Sequence, residues 1–177
     1  MLHIRRPTLH DLNECAQLDA SYTTQHVWQM SLHVDGNDIQ VHFRLVHLPR
    51  QLAVQTPPPP ENLLKCWQRG DCLYSAREGH TIVGYIHLIP DAESGIGLIH
   101  RHVVLPQFRR KGIGAALLQH TLQWAREHRL RSLLTMLSTR NHPAIAFYLA
   151  HGFVFSGYSE DFYSDESIKL HFSRSVL

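Results

Sequence analysis

Arg109, Arg110 and Lys111 stand directly before two glycines, Gly112 and Gly114, and before an apolar-patterned run that reads as a helix to about His128. The start of a helix leaves its first N–H groups without intrahelical partners and carries partial positive charge. Glycine lets backbone of that kind wrap closely around a phosphate. The stretch is therefore a candidate pyrophosphate cradle. The same residues also fit a solvated cationic turn with a glycine kink. Two nucleotide loops are excluded by spacing. The P-loop needs G-x-x-x-x-G-K-[ST], and the dinucleotide fingerprint needs a third glycine near Leu117 and an acidic residue about 20 positions on.

The second chemical resource is histidine, with 15 in the chain. They are scattered, and no H-x-x-x-H or C-x-x-C pair occurs, so no metal site is expected. His100 and His102 sit two apart on an apolar run, and plain strand alternation would point them to one face. An imidazole titrating near about 6.5 suits base catalysis at neutral pH. Cys15, Cys66 and Cys72 have no paired spacing, which suits a reducing cytoplasm without disulfides. Lys plus Arg number 17 against 15 Asp plus Glu, a net charge of +2, too small for a dedicated nucleic-acid binder. No run approaches the roughly 20 apolar residues that span a membrane, and the first residues lack the apolar core of a signal peptide.

The elements that must position these groups follow in order. Thr8–Ala20 reads as a helix with Thr8 as N-cap. Val27–Pro49 reads as a hairpin about Asp35-Gly36-Asn37-Asp38. Pro57–Pro60 make a stiff extended connector, and Asn62–Trp67 a short helix. Cys72–Ile89 is a second hairpin turning at Glu78-Gly79-His80. Ile96–Leu105 is a strand whose near-continuous apolar run suits cover on both faces. The helix after Gly112 and a strand over Leu130–Thr139 complete a crossover unit with parallel neighbours. Asn141–Gly152 is a short helix with Asn141 as N-cap and Pro143 in its first turn. Two strands close the chain. The expectation is an α+β fold, one domain over 1–177, with a mixed, mostly antiparallel sheet and helices on both faces.

The run from Val103 to Leu118, "VVLPQFRRKGIGAALL", resembles the acyl-CoA signature of the GNAT superfamily of acetyl-CoA-dependent N-acetyltransferases, [QR]-x-x-G-x-[GA] after a strand ending V-x-P. "NHPAIAFYLAHGF" resembles that family's second motif, N-x-x-A-[IL]-x-x-Y-x-x-x-G-F, with Asn141, Ala144, Ile145, Tyr148, Gly152 and Phe153 in place. The resemblance covers Cys72–Val154 well and the first seventy residues less. The second motif looks closest to the ribosomal-protein alanine N-acetyltransferases. The hairpin and tail look more like antibiotic acetyltransferases of the streptothricin type.

The resemblance implies acetyl-CoA as cosubstrate and a primary amine, on a small molecule or a protein N-terminus, as acceptor. It implies that Arg109, Arg110, Lys111, Gly112, Ile113, Gly114 and Ala115 hold the pyrophosphate. It implies that Val103, Val104 and Leu105 supply a backbone donor to the thioester oxygen, where a bulge splays two parallel strands for the pantetheine arm. Asn141, Ala144, Phe147 and Tyr148 would line the cofactor, with Tyr148 as the acid that protonates the departing thiolate.

The base is less defined. The alanine acetyltransferases keep a glutamate where this chain has Met136. His102 is the candidate in its stead, ahead of His100, with Glu93 and Asp91 as acidic alternatives and ordered water as the other route. Tyr22, Trp28 and Tyr163 are aromatic candidates for the acceptor pocket. The competing reading is an acyl-CoA-binding sensor without turnover. Exposed strand edges, Val41–Leu48 and the last strand, suggest a homodimer. No nucleic-acid or membrane partner is expected.

Overall fold

The computed structural model describes residues 2–59, 62–160 and 168–176. Its elements in chain order are β1 (Leu2–Arg5), α1 (Leu9–Ala16), β2 (Tyr22–Asp35), β3 (Asp38–Val54), α2 (Leu63–Arg69), β4 (Cys72–Glu78), β5 (Thr81–Asp91), β6 (Ile96–Val104), α3 (Ile113–Glu127), β7 (Ser132–Ser138), α4 (His142–Ala150), β8 (Val154–Ser159) and β9 (Lys169–Ser175). The architecture is α+β: β1–β4, β2–β3, β4–β5 and β5–β6 pair antiparallel, and β6–β7 pair parallel. The chain divides into two compact units, one of residues 1–21, 55–136 and 173–177, the other of residues 22–54 and 137–172.

In the first unit the strands run β1-β4-β5-β6-β7. β5 is buried over seven consecutive residues, Ile82–Leu88, because helices cover both of its faces. On one face Leu12 and Cys15 of α1 and Leu63 and Cys66 of α2 pack with Leu73, Ile82, Tyr85 and Val103. On the other lies α3. A Cβ added at Gly84 would stand 3.4 Å from Leu117 Cδ1 and 2.7 Å from the Val103 carbonyl, so glycine there lets helix and sheet close up. Burying these aliphatic side chains stabilises the unit by roughly 1.5–3 kcal/mol each.

β1 has no strand pattern in the sequence. Its four residues, Leu2–Arg5, pair with Glu78–Ser75 of β4, and an ion-pair node anchors them. Asp11, 2% exposed, accepts from the Thr8 N–H at 2.9 Å, from Arg5 at 3.1 Å and from Arg77 at 2.8 Å. α1 ends at Ala16, earlier than expected. Asn62 caps α2 by accepting from the Leu64 N–H at 2.9 Å. Pro60 of the proline connector lies outside the described residues.

Two bulges interrupt the ladders of β5. β4 and β5 shift register at Ala76/Arg77. β5 and β6 shift between His87↔Arg101 and Leu88↔Ile99, which makes His100 the extra residue. The parallel ladder of β6 with β7 runs only from Ile96↔Ser132 to Ile99↔Thr135, whereas β6 stays paired with β5 as far as Val104↔Gly84. The bulge that ends the parallel pairing is thus at His100, upstream of the Val103–Leu105 stretch where the family resemblance put it.

The second unit holds the long hairpin β2–β3, which turns at Gly36 with φ +55°, α4, and the neighbours β9 and β8. The hairpin is longer at both ends than its sequence suggested. One face is apolar along its length, with Trp28↔Leu45, Met30↔Phe43, Leu32↔Val41 and Val34↔Ile39 as cross-strand pairs. Phe43 packs on Phe155 and Tyr158, ring centroids 5.7 and 5.3 Å away. The Trp28 N–H donates to the Thr139 carbonyl at 2.9 Å, tying β2 to the residues that lead into α4.

Candidate active site

β6 delivers the chain to α3 through a tightly held corner. The Leu105 N–H donates to the Val83 carbonyl at 2.9 Å. A turn of 3₁₀ helix over Pro106–Phe108 follows, then Arg110 at φ +63° and Gly112 at φ +81°. The first intrahelical bond of α3 runs from the Ala116 N–H to the Gly112 carbonyl at 3.0 Å. That leaves the N–H groups of Ile113, Gly114 and Ala115 without intrahelical acceptors, at the positive end of a 15-residue helix. A Cβ at Gly112 would meet nothing within 4 Å, so the surface beside the start of α3 is open at this residue.

The three cations divide their work. Arg109 Nε donates to the Val104 carbonyl at 2.8 Å, and burial lowers its pKa while Asp19 opposes that shift. Arg109 therefore braces the corner and is not a free charge. Arg110 and Lys111 are exposed, with the Lys111 ammonium 4.9 Å above the Phe108 ring. They are the charges a phosphate would meet.

The backbone donors at the end of β6 also resolve to one. Successive N–H groups of a strand point to opposite sides. Leu105 spends its own on β5, so Val104 turns its N–H away from β5. That is the edge along which the parallel ladder with β7 has already ended. Val103 is buried in the core of this unit.

The bulge separates the two histidines of β6. His102 stands opposite Ile86, while Arg101 stands opposite His87, and directly opposed residues share a face. The His100 ring meets the His87 ring edge-on, centroids 5.7 Å apart. His100 thus joins the His87 side and His102 the other, against the single face that alternation suggested. Asp91 and Glu93 drop out as bases near Val104. Asp91 Oδ1 accepts from the N–H groups of Glu93 and Ser94 at 3.0 and 3.4 Å, forming the β5–β6 turn. That turn lies at the opposite end of β6, about 25 Å away along the strand.

Sequence reading missed a side-chain set here. Cys66, Asp71 and His87, all buried, bring one sulfur, oxygen and nitrogen each within 4.8 Å of one another. These donor types can hold a metal ion, although no pair spacing announced them. Arg69 donates to both Asp71 oxygens, at 2.8 and 2.7 Å, and so supplies positive charge to the set.

In the second unit the other motif folds as α4. Asn141 Oδ1 caps it by accepting from the Ala144 N–H at 3.2 Å. Gly152 ends it at φ +79°, and the Phe153 N–H returns to the Tyr148 carbonyl at 3.1 Å. Tyr148 is buried, its ring edge-on to Phe147 and Phe153 at 5.3 and 4.9 Å. Phe147 also lies against His151 at 4.1 Å. His142 sits 5.3 Å from His26 and 6.3 Å from Trp28, ring to ring; burial and the neighbouring His26 lower its pKa. Trp28 thus belongs to an aromatic cluster at the head of α4. Tyr22 lies at the start of β2, and Tyr163 lies outside the described residues.

Comparison with known proteins gives a consistent picture. The acetyltransferase (GNAT) family matches residues 43–153. Streptothricin acetyltransferase A of Bacillus subtilis (strain 168) is 32% identical over 72 residues, which is 41% of this chain and 42% of that protein. The chain therefore matches less than half the length of that curated relative. Nourseothricin acetyltransferase is similar in structure over 99% of both chains, with a TM-score of 0.85 at 22% identity. A Bacillus anthracis str. Ames protein solved in complex with acetyl coenzyme A is similar over 99% of both chains, with a TM-score of 0.80 at 19% identity. Among the described residues no helix is long and apolar enough to cross a membrane.

Proposed function

Because the chain belongs to the acetyltransferase (GNAT) family, we propose that it transfers an acetyl group from acetyl-CoA to a primary amine, and that its two units make up one catalytic domain. The observation that carries this reading is the open cradle at the head of α3. Ile113, Gly114 and Ala115 offer free N–H groups there under a glycine whose missing side chain leaves room for a pyrophosphate. Arg110 and Lys111 offset the phosphate charge. The Val104 N–H receives the thioester oxygen as charge develops on it. Tyr148 gives the thiolate its proton. Asn141, Ala144 and Phe147 line the cofactor from α4. The amine, mostly protonated at neutral pH with a pKa near about 10, must lose a proton first. His102 or ordered water is the acceptor that the sequence favours.

The acceptor is a small-molecule amine, with streptothricin the first to try, given the relatives' names; a protein N-terminus is the second class. Its three buried thiols suit the cytoplasm. A thiol-release assay with acetyl-CoA against streptothricin, a polyamine and an alanine-started peptide tests the reading. Amine-dependent release of CoA is expected. Tight acetyl-CoA binding with no release on any amine would instead favour the sensor.

We also propose a homodimer. Leu32, Val34 and Ile39 on the apolar face of the β2–β3 ribbon are 53%, 59% and 69% exposed, and an isolated two-stranded ribbon is marginal in water. A second copy would cover that face. Light scattering at tens of micromolar should give twice the chain mass, and Ile39→Glu should halve it. A monomeric wild type would overturn the assignment.

A further inference from the structure

Cys66 on α2, Asp71 between α2 and β4, and His87 in the middle of β5 are 1%, 1% and 0% exposed. Their sulfur, oxygen and nitrogen donors lie within 4.8 Å of one another. Three atoms no farther apart than that share a point within about 2.8 Å of each, close to the bonds of about 2.0–2.3 Å that zinc makes to such ligands. The set already attracts positive charge. Arg69 Nη2 stands 2.7 Å from Asp71 Oδ2 and 4.0 Å from Cys66 Sγ, and Arg69 Nε donates to the other Asp71 oxygen at 2.8 Å. Asp71 Oδ2 is also 2.7 Å from His87 Nε2, and His87 Nδ1 has no partner among the described residues. Buried charge of this kind is either paired or given to a metal.

We propose that Cys66, Asp71 and His87 bind one divalent transition-metal ion, zinc by preference, which ties α2 to β4 and β5. A thiolate and an imidazole favour a borderline-soft ion over magnesium or calcium, and a carboxylate suits zinc better than copper(I). Arg69 covers the way in. Its side chain is 54% exposed, so the guanidinium can swing to solvent and give up its place on Asp71. Water follows and takes the fourth tetrahedral position that three protein ligands leave. Two ligands of one tetrahedral zinc stand about 3.3 Å apart, so Asp71 and His87 separate by roughly 0.6 Å as their hydrogen bond gives way to the ion. The Cys66 thiol proton goes to solvent, and the imidazole keeps its hydrogen on the ring nitrogen that the metal does not take. Sequence spacing hid this set because its members come from a helix, the turn after it and the second strand on. The inference stands whether or not the chain acetylates amines.

Cobalt(II) titration of the full chain, purified without an affinity tag, stripped with chelator and kept reduced, tests the site. One equivalent should bind and give a thiolate-to-cobalt charge-transfer band in the near ultraviolet. Zinc should bleach that band and raise Tm. The band should be lost in Cys66→Ser and kept in Cys72→Ala, whose sulfur is buried on β4 outside the set. Arg69→Gln should tighten the metal roughly 10-fold, because it removes the cation that competes for Asp71 through charge-assisted hydrogen bonds. A plain ion pair predicts otherwise: Arg69→Gln would lower Tm and metal would not restore it. No charge-transfer band in either wild type or Arg69→Gln overturns the proposal, and so does a band that survives Cys66→Ser. Cobalt bound without the band marks an adventitious ion only, held by surface histidines, and overturns it equally. Should Cys66→Ser fail to fold, the band in wild type and its response to Arg69→Gln still decide.

Discussion

Gly112→Val should leave the protein folded and weaken acetyl-CoA at least about 100-fold, close to 3 kcal/mol. Two separate costs meet at this residue. Its φ of +81° lies in the left-handed region, where a side chain, and a β-branched one above all, is strained by about 1–2 kcal/mol. That strain falls on folding. The second cost falls on binding. A Cβ at Gly112 touches nothing within 4 Å, so valine clashes with no protein atom. On the cradle reading its methyl groups instead stand at the head of α3, where a pyrophosphate would approach the first-turn N–H groups.

Gly79→Val separates the two costs. Gly79 has φ +60° and equally open surroundings, but it sits in the β4–β5 turn. Both variants should lose a similar few degrees of Tm, and only Gly112→Val should lose affinity in calorimetry. Unchanged acetyl-CoA affinity in folded Gly112→Val would remove the cradle from the site, and with it the main support for the catalytic reading.

The difference between what the chain discloses and what it conceals is physical. The corner that leads into α3 is legible because its parts are contiguous: cations, glycines and the 3.6-residue period of α3 lie within twenty residues. The β2–β3 turn is legible for the same reason, since Asp-Gly needs only local geometry. β1 is hidden because Leu2–Arg5 has no strand pattern of its own; pairing with β4 and the Asp11 ion pairs decide it. The loss of Arg109 to the Val104 carbonyl depends on how the corner turns. The sidedness of His100 and His102 depends on one inserted residue, which strand alternation cannot reveal because pairing with β5 decides it. Asp71 and His87 are 16 residues apart and meet only because α2 feeds β4 beside β5. A feature built on one loop shows in sequence; one assembled by strand register does not.

Tyr148→Phe should lower kcat by about 100-fold, the lower end of what general-acid catalysis contributes, with acetyl-CoA affinity nearly unchanged. The substitution removes one oxygen and keeps the ring that packs edge-on to Phe147 and Phe153. Thermal stability should therefore fall by no more than about 1 kcal/mol, the net worth of a hydrogen bond. A residue that only filled space between helix and sheet would show that small stability change and normal turnover. A proton donor would show the same small stability change with turnover lost. The test sharpens with the leaving group. A thiol titrating near about 8.5 needs help to depart at pH 7; a more acidic thiol needs less. An acetyl thioester of a low-pKa CoA analogue should thus narrow the gap between Tyr148→Phe and wild type. Equal turnover of the two proteins on acetyl-CoA, measured where chemistry limits the rate, would take Tyr148 out of the mechanism and leave it as core.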